Sequence, residues 1–429
     1  MTETGAAPVG ASAIARLSLG GAAVGLVAGA GAVAFVAVEH HLTHLLWHTL
    51  PELWGLDAAP WWMVVGFPLV GALLVWAAIR LPGHGGHGPL DGFGLDIGPD
   101  KIASVLLAAL ASLCFGAVLG PEAPLLAIGT ASGMVLARSA GGSVRQVMAI
   151  VGAMSAMGAI LGNPLITVIM LLEVALAAGT QLARPAVLLP SLAGLGSGYL
   201  LQVGVGQWTG LGETQLSMKS LPAYANVRVV DLLIGVVLAV VVAVVAVLAQ
   251  RGAASVIRIG RGAALPLLLA TAAVTGGAAA LAAALTGQSY ELVLFAGQTS
   301  MSAYLALPSL GVAAVVLAAK FVGYTASLAG GFRGGMMFPA LALGTILASM
   351  TAMLVGQAGI PALTATGIAA ATAAAMRLPF TGVLLAVLLT ISAGPAVTVP
   401  AILGAVVGML IRLALDARAP AEGVHAQAA

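Results

Sequence analysis

Long apolar runs, separated by short polar connections, cover most of this 429-residue chain. Leu19–Val38, Val229–Ala249 and Leu265–Ala284 each contain about 20 residues, which is the length that an α-helix needs to cross a bilayer. These runs are rich in alanine and leucine and lack the alternation of a transmembrane barrel strand. Because backbone polar groups in lipid must be paired within the protein, the pattern predicts an all-α integral membrane protein.

Other apolar segments are too short for a full span or are interrupted by glycine and proline. Irregular backbone at membrane depth is tolerated only where protein buries it or where it lines a cavity. The pattern therefore predicts broken and re-entrant helices around a functional site. These segments are 103–119, 123–137, 147–161, 164–178, 336–355 and 365–376.

A seven-residue pattern occurs twice, 215 positions apart. Pro124–Thr130 and Pro339–Thr345 agree at five of their seven positions, and Pro164 and Pro379 open a second pair of apolar runs at the same offset. Two matches at one offset indicate a duplication, and duplicated halves in membrane proteins usually have a substrate pathway between them.

The polar positions divide the chain into one membrane domain and two tails. The membrane domain is predicted over 16–416, with a first repeat at about 20–205 and a second at about 229–415. The tails, 1–15 and 417–429, are polar, lack periodicity and are predicted to be disordered.

Composition excludes a soluble protein. The chain is 61% hydrophobic and only 7% charged, whereas soluble domains have about 25% charged residues. The net charge of +2 gives no sign of a nucleic-acid partner, and no nucleophile–base set, P-loop or dinucleotide fingerprint is present. The expected environment is the lipid bilayer, and neither enzyme activity nor a bound cofactor is predicted.

Positive charges indicate the orientation, because arginine and lysine concentrate in cytoplasmic connections. One short connection is flanked by Arg138 and Arg145, and another has Arg251, Arg258 and Arg261. Lys219 and Arg228 belong to a polar segment expected on the opposite side. The chain is predicted to be a multi-pass protein of the cytoplasmic membrane, with both termini in the cytoplasm.

Glu122 is the strongest candidate for chemistry, because it lies between two apolar stretches beside Pro121 and Pro124. Proline is favoured in the first turn of a helix, so Pro124 predicts a helix start at membrane depth. The free N–H groups of such a start attract anions, and an acid in hydrocarbon is a functional candidate by default. The alternative is a carboxylate that only caps its own helix.

The second copy of the repeat has Gly334 and Gly335 before Pro339, with no acid. Paired glycines allow the backbone to approach a ligand, and the N–H groups that follow can point at it. The alternative is a tight joint between packed helices. Two other acidic or basic positions, Glu173 and Arg377, have partners that the sequence does not reveal.

Histidines offer a remote alternative function. His40, His44 and His48 share one helical face, and His84 and His87 lie in a glycine-rich turn. Without a matching set of carboxylates or cysteines, these positions predict no metal site. A metal-binding or enzymatic membrane protein is therefore only a distant possibility, and loss of metal content in His44→Ala would be its test.

Five motifs in order resemble the CLC family of chloride channels and proton–chloride antiporters. They are the turn ending in Gly86-His87-Gly88-Pro89, Gly120-Pro121-Glu122-Ala123-Pro124, Asn163-Pro164-Leu165 to Glu173, Gly334-Gly335-Met336-Met337-Phe338-Pro339, and Arg377-Leu378-Pro379-Phe380-Thr381-Gly382. Together they extend the resemblance from about residue 20 to residue 415.

The resemblance implies two inverted-topology repeats, a homodimer with one pathway in each subunit, and an anion, chloride first, held by helix N-termini. Glu122 corresponds to the family's gating glutamate, which also takes a proton in the antiporters. The backbone N–H groups of Met336 and Met337 correspond to ion contacts. The implied anion-binding set is Gly86, His87, Gly88, Gly120, Pro121, Ala123, Gly335, Met336, Met337 and Phe338.

Departures from the family pattern bear on mechanism. Pro121 replaces a basic residue, Met337 replaces phenylalanine, and Gly86 or His87 replaces a serine. The chain ends before the family's last helix and its ion-coordinating tyrosine, and no regulatory domain is expected. Val174 stands where many antiporters have a second glutamate, so passive, channel-like conduction is favoured; a proton-coupled antiporter of chloride, fluoride or another small anion is the alternative.

Overall fold

A computed structural model describes residues 10–92, 94, 97–177, 184–205, 218, 221–260 and 264–418. The expectations for Lys219 and Arg261, and for most of both terminal tails, lie outside these residues. Within the described ranges the regular secondary structure is helical, apart from one isolated bridge between two glycines.

The helices are numbered in chain order. They are α1 Ala11–His44, α2 Leu50–Leu53, α3 Trp61–Ala78, α4 Ile102–Leu113, α5 Glu122–Leu136, α6 Gly142–Leu161, α7 Pro164–Ala177, α8 Pro185–Val205, α9 Val229–Ile259, α10 Ala264–Thr286, α11 Met301–Leu305, α12 Leu310–Ala329, α13 Met337–Val355, α14 Ile360–Met376, α15 Pro379–Leu389 and α16 Thr398–Ala417.

The predicted all-α membrane fold is confirmed. In the described part of the chain, nine helical segments are long and apolar enough to cross a bilayer, and shorter apolar helices include α4, α5 and α15. The three long runs of the sequence lie within α1, α9 and α10. Helix α1 begins at Ala11, five residues before the expected domain boundary, because residues 11–16 include three alanines, the strongest helix formers.

Helix packing repeats at the offset found in the sequence. Helix α5 packs against α6, and α13 packs against α14. Gly129 meets the backbone of Gly152 in the first pair, and Gly344 meets that of Gly367 in the second. Small residues at these crossings let the helix backbones approach closely, which is where membrane helices gain their packing energy.

Hydrogen bonds between the halves are reciprocal. Ser112 of α4 accepts a bond from the Arg333 N–H at 2.8 Å, and Ser327 of α12 accepts one from the Val118 N–H at 2.9 Å. Both serines and both donors are 215 positions apart. A contact and its exchanged counterpart are the signature of a twofold relation, so the duplicated halves face each other across an approximate twofold axis.

Candidate functional site

The two repeats meet at a pair of glycines that precede α5 and α13. Gly120 donates to the Gly335 carbonyl at 2.8 Å, and Gly335 donates to the Gly120 carbonyl at 2.5 Å. Helix α5 begins at Glu122 and α13 at Met337. Two helix N-termini, each with free N–H groups and a positive dipole end, are thus brought to one place.

Glu122 lies at this meeting point and is buried, with only 2% of its surface exposed. Its Oε1 atom accepts a hydrogen bond from the Phe338 N–H at 3.2 Å. Its Oε2 atom is also buried and has no hydrogen-bond partner in the described structure. The carboxylate of the first repeat therefore occupies donors at the start of a helix in the second repeat, which a simple cap of its own helix would not do.

The position of the Glu122 carboxylate leaves no room for a side chain at the two bridged glycines. A Cβ atom added at Gly335 would overlap the Glu122 carboxylate, and one added at Gly120 would also lie too close to it. Of the paired glycines of the second repeat, Gly335 lies against the acidic side chain, whereas Gly334 lies against Leu119 and the backbone of Gly120. Pro124 lies in the first turn of α5, two residues after the helix begins.

A cavity of about 140 Å³ opens beside this carboxylate. Its lining includes several of the residues expected at an anion site: His87, Gly88, Glu122, Ala123, Gly335, Met336 and Met337. That lining does not include Gly86, Gly120, Pro121 or Phe338. Gly120 and Phe338 still contact the site through the hydrogen bonds described above. The structure thus assembles most of the expected set around one space.

The glycine-rich turn reaches the cavity without opening a helix there. The described residues between Leu90 and Lys101 are turns and coil, and the next helix, α4, begins at Ile102. Gly92, Gly94, Gly98 and Pro99 disfavour a helix in this stretch. Two N–H groups of the turn are paired nearby: Gly86 donates to the Gly83 carbonyl at 2.9 Å, and Gly88 donates to Asp91 Oδ2 at 2.7 Å.

Two polar side chains that the sequence did not single out contact Met336. The Tyr324 hydroxyl donates to the Met336 carbonyl at 2.9 Å, and the Gln250 amide lies 3.3 Å from the Met336 sulfur. Tyr324 is fully buried in α12. A buried tyrosine hydroxyl usually has a partner, so a lone tyrosine in an apolar run was the available signal. Both residues hold the start of α13 in place.

Glu173 has a structural partner in the other repeat. Its Oε1 atom accepts from the Phe380 N–H at 2.6 Å, and its Oε2 atom accepts from the Thr381 N–H at 2.8 Å and the Thr381 hydroxyl at 2.6 Å. These groups form the first turn of α15. The carboxylate joins α7 to α15 by capping the N-terminus of α15, and neighbouring Val174 packs against the apolar core.

Replacing Glu173 with glutamine is expected to reduce stability. The amide N–H₂ group would face an N–H donor of α15, and an unsatisfied buried donor costs about 1–3 kcal/mol. The midpoint of thermal unfolding, followed by size-exclusion chromatography of heated samples, should fall. Exposed Glu52→Gln is the matched control, and equal midpoints for the two variants would contradict the capping role.

The histidines make local contacts. His44 and His48 have ring centroids 5.1 Å apart, and His48 Nε2 lies 3.1 Å from Glu291 Oε1. His84 pairs with the Ile79 carbonyl at 3.1 Å. Among the residues that the structure describes, no group of three or more histidine, cysteine, aspartate or glutamate side chains is arranged to hold a metal ion.

Taken together, duplicated membrane helices and a buried polar site between them define a membrane transport protein. The family described as voltage gated chloride channel matches residues 88–413. The chain belongs to this family, which is the CLC family suggested by the motifs, and its activity class is anion transport. YfeO of Escherichia coli, which is named as an ion-transport protein, is 25% identical over 353 residues, or 78% of each chain.

Solved structures show the same fold. A slow cyanobacterial Cl⁻/H⁺ antiporter superimposes with a TM-score of 0.77 at 18% identity, covering 94% of this chain and 95% of that one. A CLC-type fluoride/proton antiporter gives 0.69 at 18% identity, with coverage of 94% and 97%. A eukaryotic CLC transporter gives 0.64 at 16% identity, covering 93% of this chain and 72% of the other.

Proposed function

We propose that this protein moves chloride, or another small anion, through a pathway gated by Glu122, and that the movement is passive. The observation behind the gate is the hydrogen bond from the Phe338 N–H to Glu122 Oε1. A carboxylate at a helix N-terminus occupies the kind of position that a bound anion would take. An anion and the carboxylate would then compete for the same donors, so transport requires the carboxylate to move.

Passive conduction is favoured because Val174 carries no proton and the neighbouring acid, Glu173, is held by hydrogen bonds. A relay of protons from Glu122 would need another group that can release and take up a proton. Glu173, the nearest acid along α7, has both carboxylate oxygens bound to the start of α15. Its role as a cap opposes a second role as a proton carrier, because each departure from the cap would leave N–H donors unsatisfied.

Proton-coupled antiport is the second candidate. Two of the similar solved structures are a chloride/proton antiporter and a fluoride/proton antiporter. The unpartnered Oε2 atom of Glu122 is a position where a proton would be accepted without breaking an existing hydrogen bond. The liposome efflux experiment described next distinguishes it from passive conduction, because antiport moves protons together with the anion.

The test is efflux from liposomes that contain the purified protein. Chloride efflux would be measured with an ion-selective electrode while external pH is recorded, with valinomycin and a potassium gradient setting the voltage. Passive conduction predicts chloride release without proton movement. Proton uptake in fixed ratio to chloride would support the antiporter, and absence of flux for chloride, fluoride and nitrate would refute anion transport.

We also propose that the working unit is a homodimer in the cytoplasmic membrane, with one pathway in each subunit and both termini in the cytoplasm. The arginines Arg138, Arg251 and Arg258 support this orientation through the positive-inside rule. Cysteine labelling of Ser12→Cys with a membrane-impermeant reagent tests it. Labelling in intact cells would place the N-terminus outside and contradict the proposal.

A further inference from the structure

A cationic side chain lines the cavity that contains Glu122. Arg333 precedes Gly334 and Gly335, and it lines the cavity where its side chain lies against the glycine-rich turn. Its backbone is fixed, because its N–H donates to Ser112 Oγ at 2.8 Å. The side chain is therefore held at a defined position between the turn and the start of α13.

The guanidinium of Arg333 has more donors than partners. A guanidinium has five N–H donors, and Nη2 of Arg333 donates to the His84 carbonyl at 3.3 Å. Its Nε atom is buried and lacks a partner among the described residues. A buried, unsatisfied donor on a partly buried cation is unfavourable unless an acceptor or anion completes it.

The turn leaves space for this guanidinium. A Cβ atom added at Gly85 would lie 3.1 Å from Arg333 Nε, and one added at Gly88 would lie 3.6 Å from Arg333 Nη1. Gly85 has a φ of +74°, which favours glycine. The turn is thus shaped closely around the arginine side chain.

Among the residues that the structure describes, no acidic side chain forms an ion pair with Arg333. Asp91 acts on Arg333 through its charge, but Oδ2 of this exposed carboxylate accepts the Gly88 N–H at 2.7 Å. Glu122 lines the same cavity and is bound to Phe338. When Glu122 leaves the cavity to admit an anion, the positive charge of Arg333 stays there.

We propose that Arg333 is an anion-binding residue of this cavity and sets the affinity for the transported small anion. It supplies a cationic donor from the second repeat, whereas position 121 of the first repeat is a proline without charge or N–H. Arginine suits this task because it keeps its charge when partly buried and offers several donors in one plane. The inference rests on the proposed transport function and adds a residue to its site.

The test compares Arg333→Gln and Arg333→Lys with the wild type in the liposome assay, using chloride at a series of concentrations. Loss of a charged hydrogen-bond donor is expected to raise the half-saturating chloride concentration of Arg333→Gln about tenfold. Arg333→Lys keeps the charge, so its half-saturating chloride concentration should rise less. Arg258→Gln removes the same charge from an exposed position on α9 and should match the wild type.

The outcomes separate this inference from the proposed function. Wild-type flux with unchanged half-saturation in both Arg333 variants would overturn the role of Arg333 and leave the transport proposal intact. Absence of wild-type flux would overturn the transport proposal itself. If Arg333→Gln does not fold, Arg333→Lys decides the matter through the preference between chloride and nitrate. Because the planar donor set is lost, that preference should change at least twofold, and an unchanged preference would contradict the proposal.

Discussion

Replacement of Glu122 with glutamine is expected to keep anion flux and to lower the half-saturating chloride concentration about tenfold. Hydrogen bonds to charged groups contribute about 1.5–3 kcal/mol, so a neutral amide competes less well than a carboxylate for the Phe338 N–H. Each 1.4 kcal/mol corresponds to a factor of ten in affinity. The amide oxygen is still able to accept that N–H, so the fold should be retained.

The control for this variant is Glu52→Gln, which removes a carboxylate from an exposed position in α2. It should behave as the wild type in the same assay. If the half-saturating chloride concentration is the same in Glu122→Gln and in the wild type, the carboxylate and the anion do not compete, and the prediction is refuted. If the wild type proves to be proton-coupled, Glu122→Gln should lose proton movement while chloride flux continues.

Replacement of Gly335 with alanine is expected to destabilise the protein strongly while Glu122 is present. The new Cβ atom would overlap the carboxylate, and overpacking of a buried site costs about 1–3 kcal/mol. The Gly120–Gly335 bridge would also be strained. The midpoint of thermal unfolding should fall well below that of Gly277→Ala, a control glycine on α10 with no atom within 4 Å of an added Cβ.

A double variant distinguishes this contact from a general effect on the backbone. Glu122→Ala removes the atoms that the Cβ would overlap, so Glu122→Ala with Gly335→Ala should recover much of the lost stability. Non-additive effects of this kind are expected only for residues in contact. Additive losses in the double variant would show that the carboxylate does not lie against Gly335.

Part of the candidate site could be predicted from the sequence, because some of its residues are chemically distinctive within the apolar segments. Glu122 was recognisable because a carboxylate between apolar stretches is costly in hydrocarbon. Gly334 and Gly335 were recognisable because paired glycines let a backbone approach a ligand closely. The offset of 215 residues placed the acid and the glycine pair at the start of equivalent helices, one in each repeat. Their direct contact needed the structure, because it depends on how the two halves face each other.

Other features were out of reach for physical reasons. The partners of Glu173 lie 207 and 208 positions away along the chain, and no local pattern reports such a pairing. Arg333 corresponds by the offset to Val118, so a comparison of the repeats would have marked it as a charge in one copy only.

The most direct test of the central claim is to locate an anion in crystals of Glu122→Gln grown in bromide. Anomalous scattering identifies bromide without ambiguity. The competition between carboxylate and anion predicts a bromide peak within about 3.5 Å of the Phe338 nitrogen, beside Gly335, with lower occupancy in the wild type. Bromide absent from this position in both proteins would contradict the claim that Glu122 occupies an anion site.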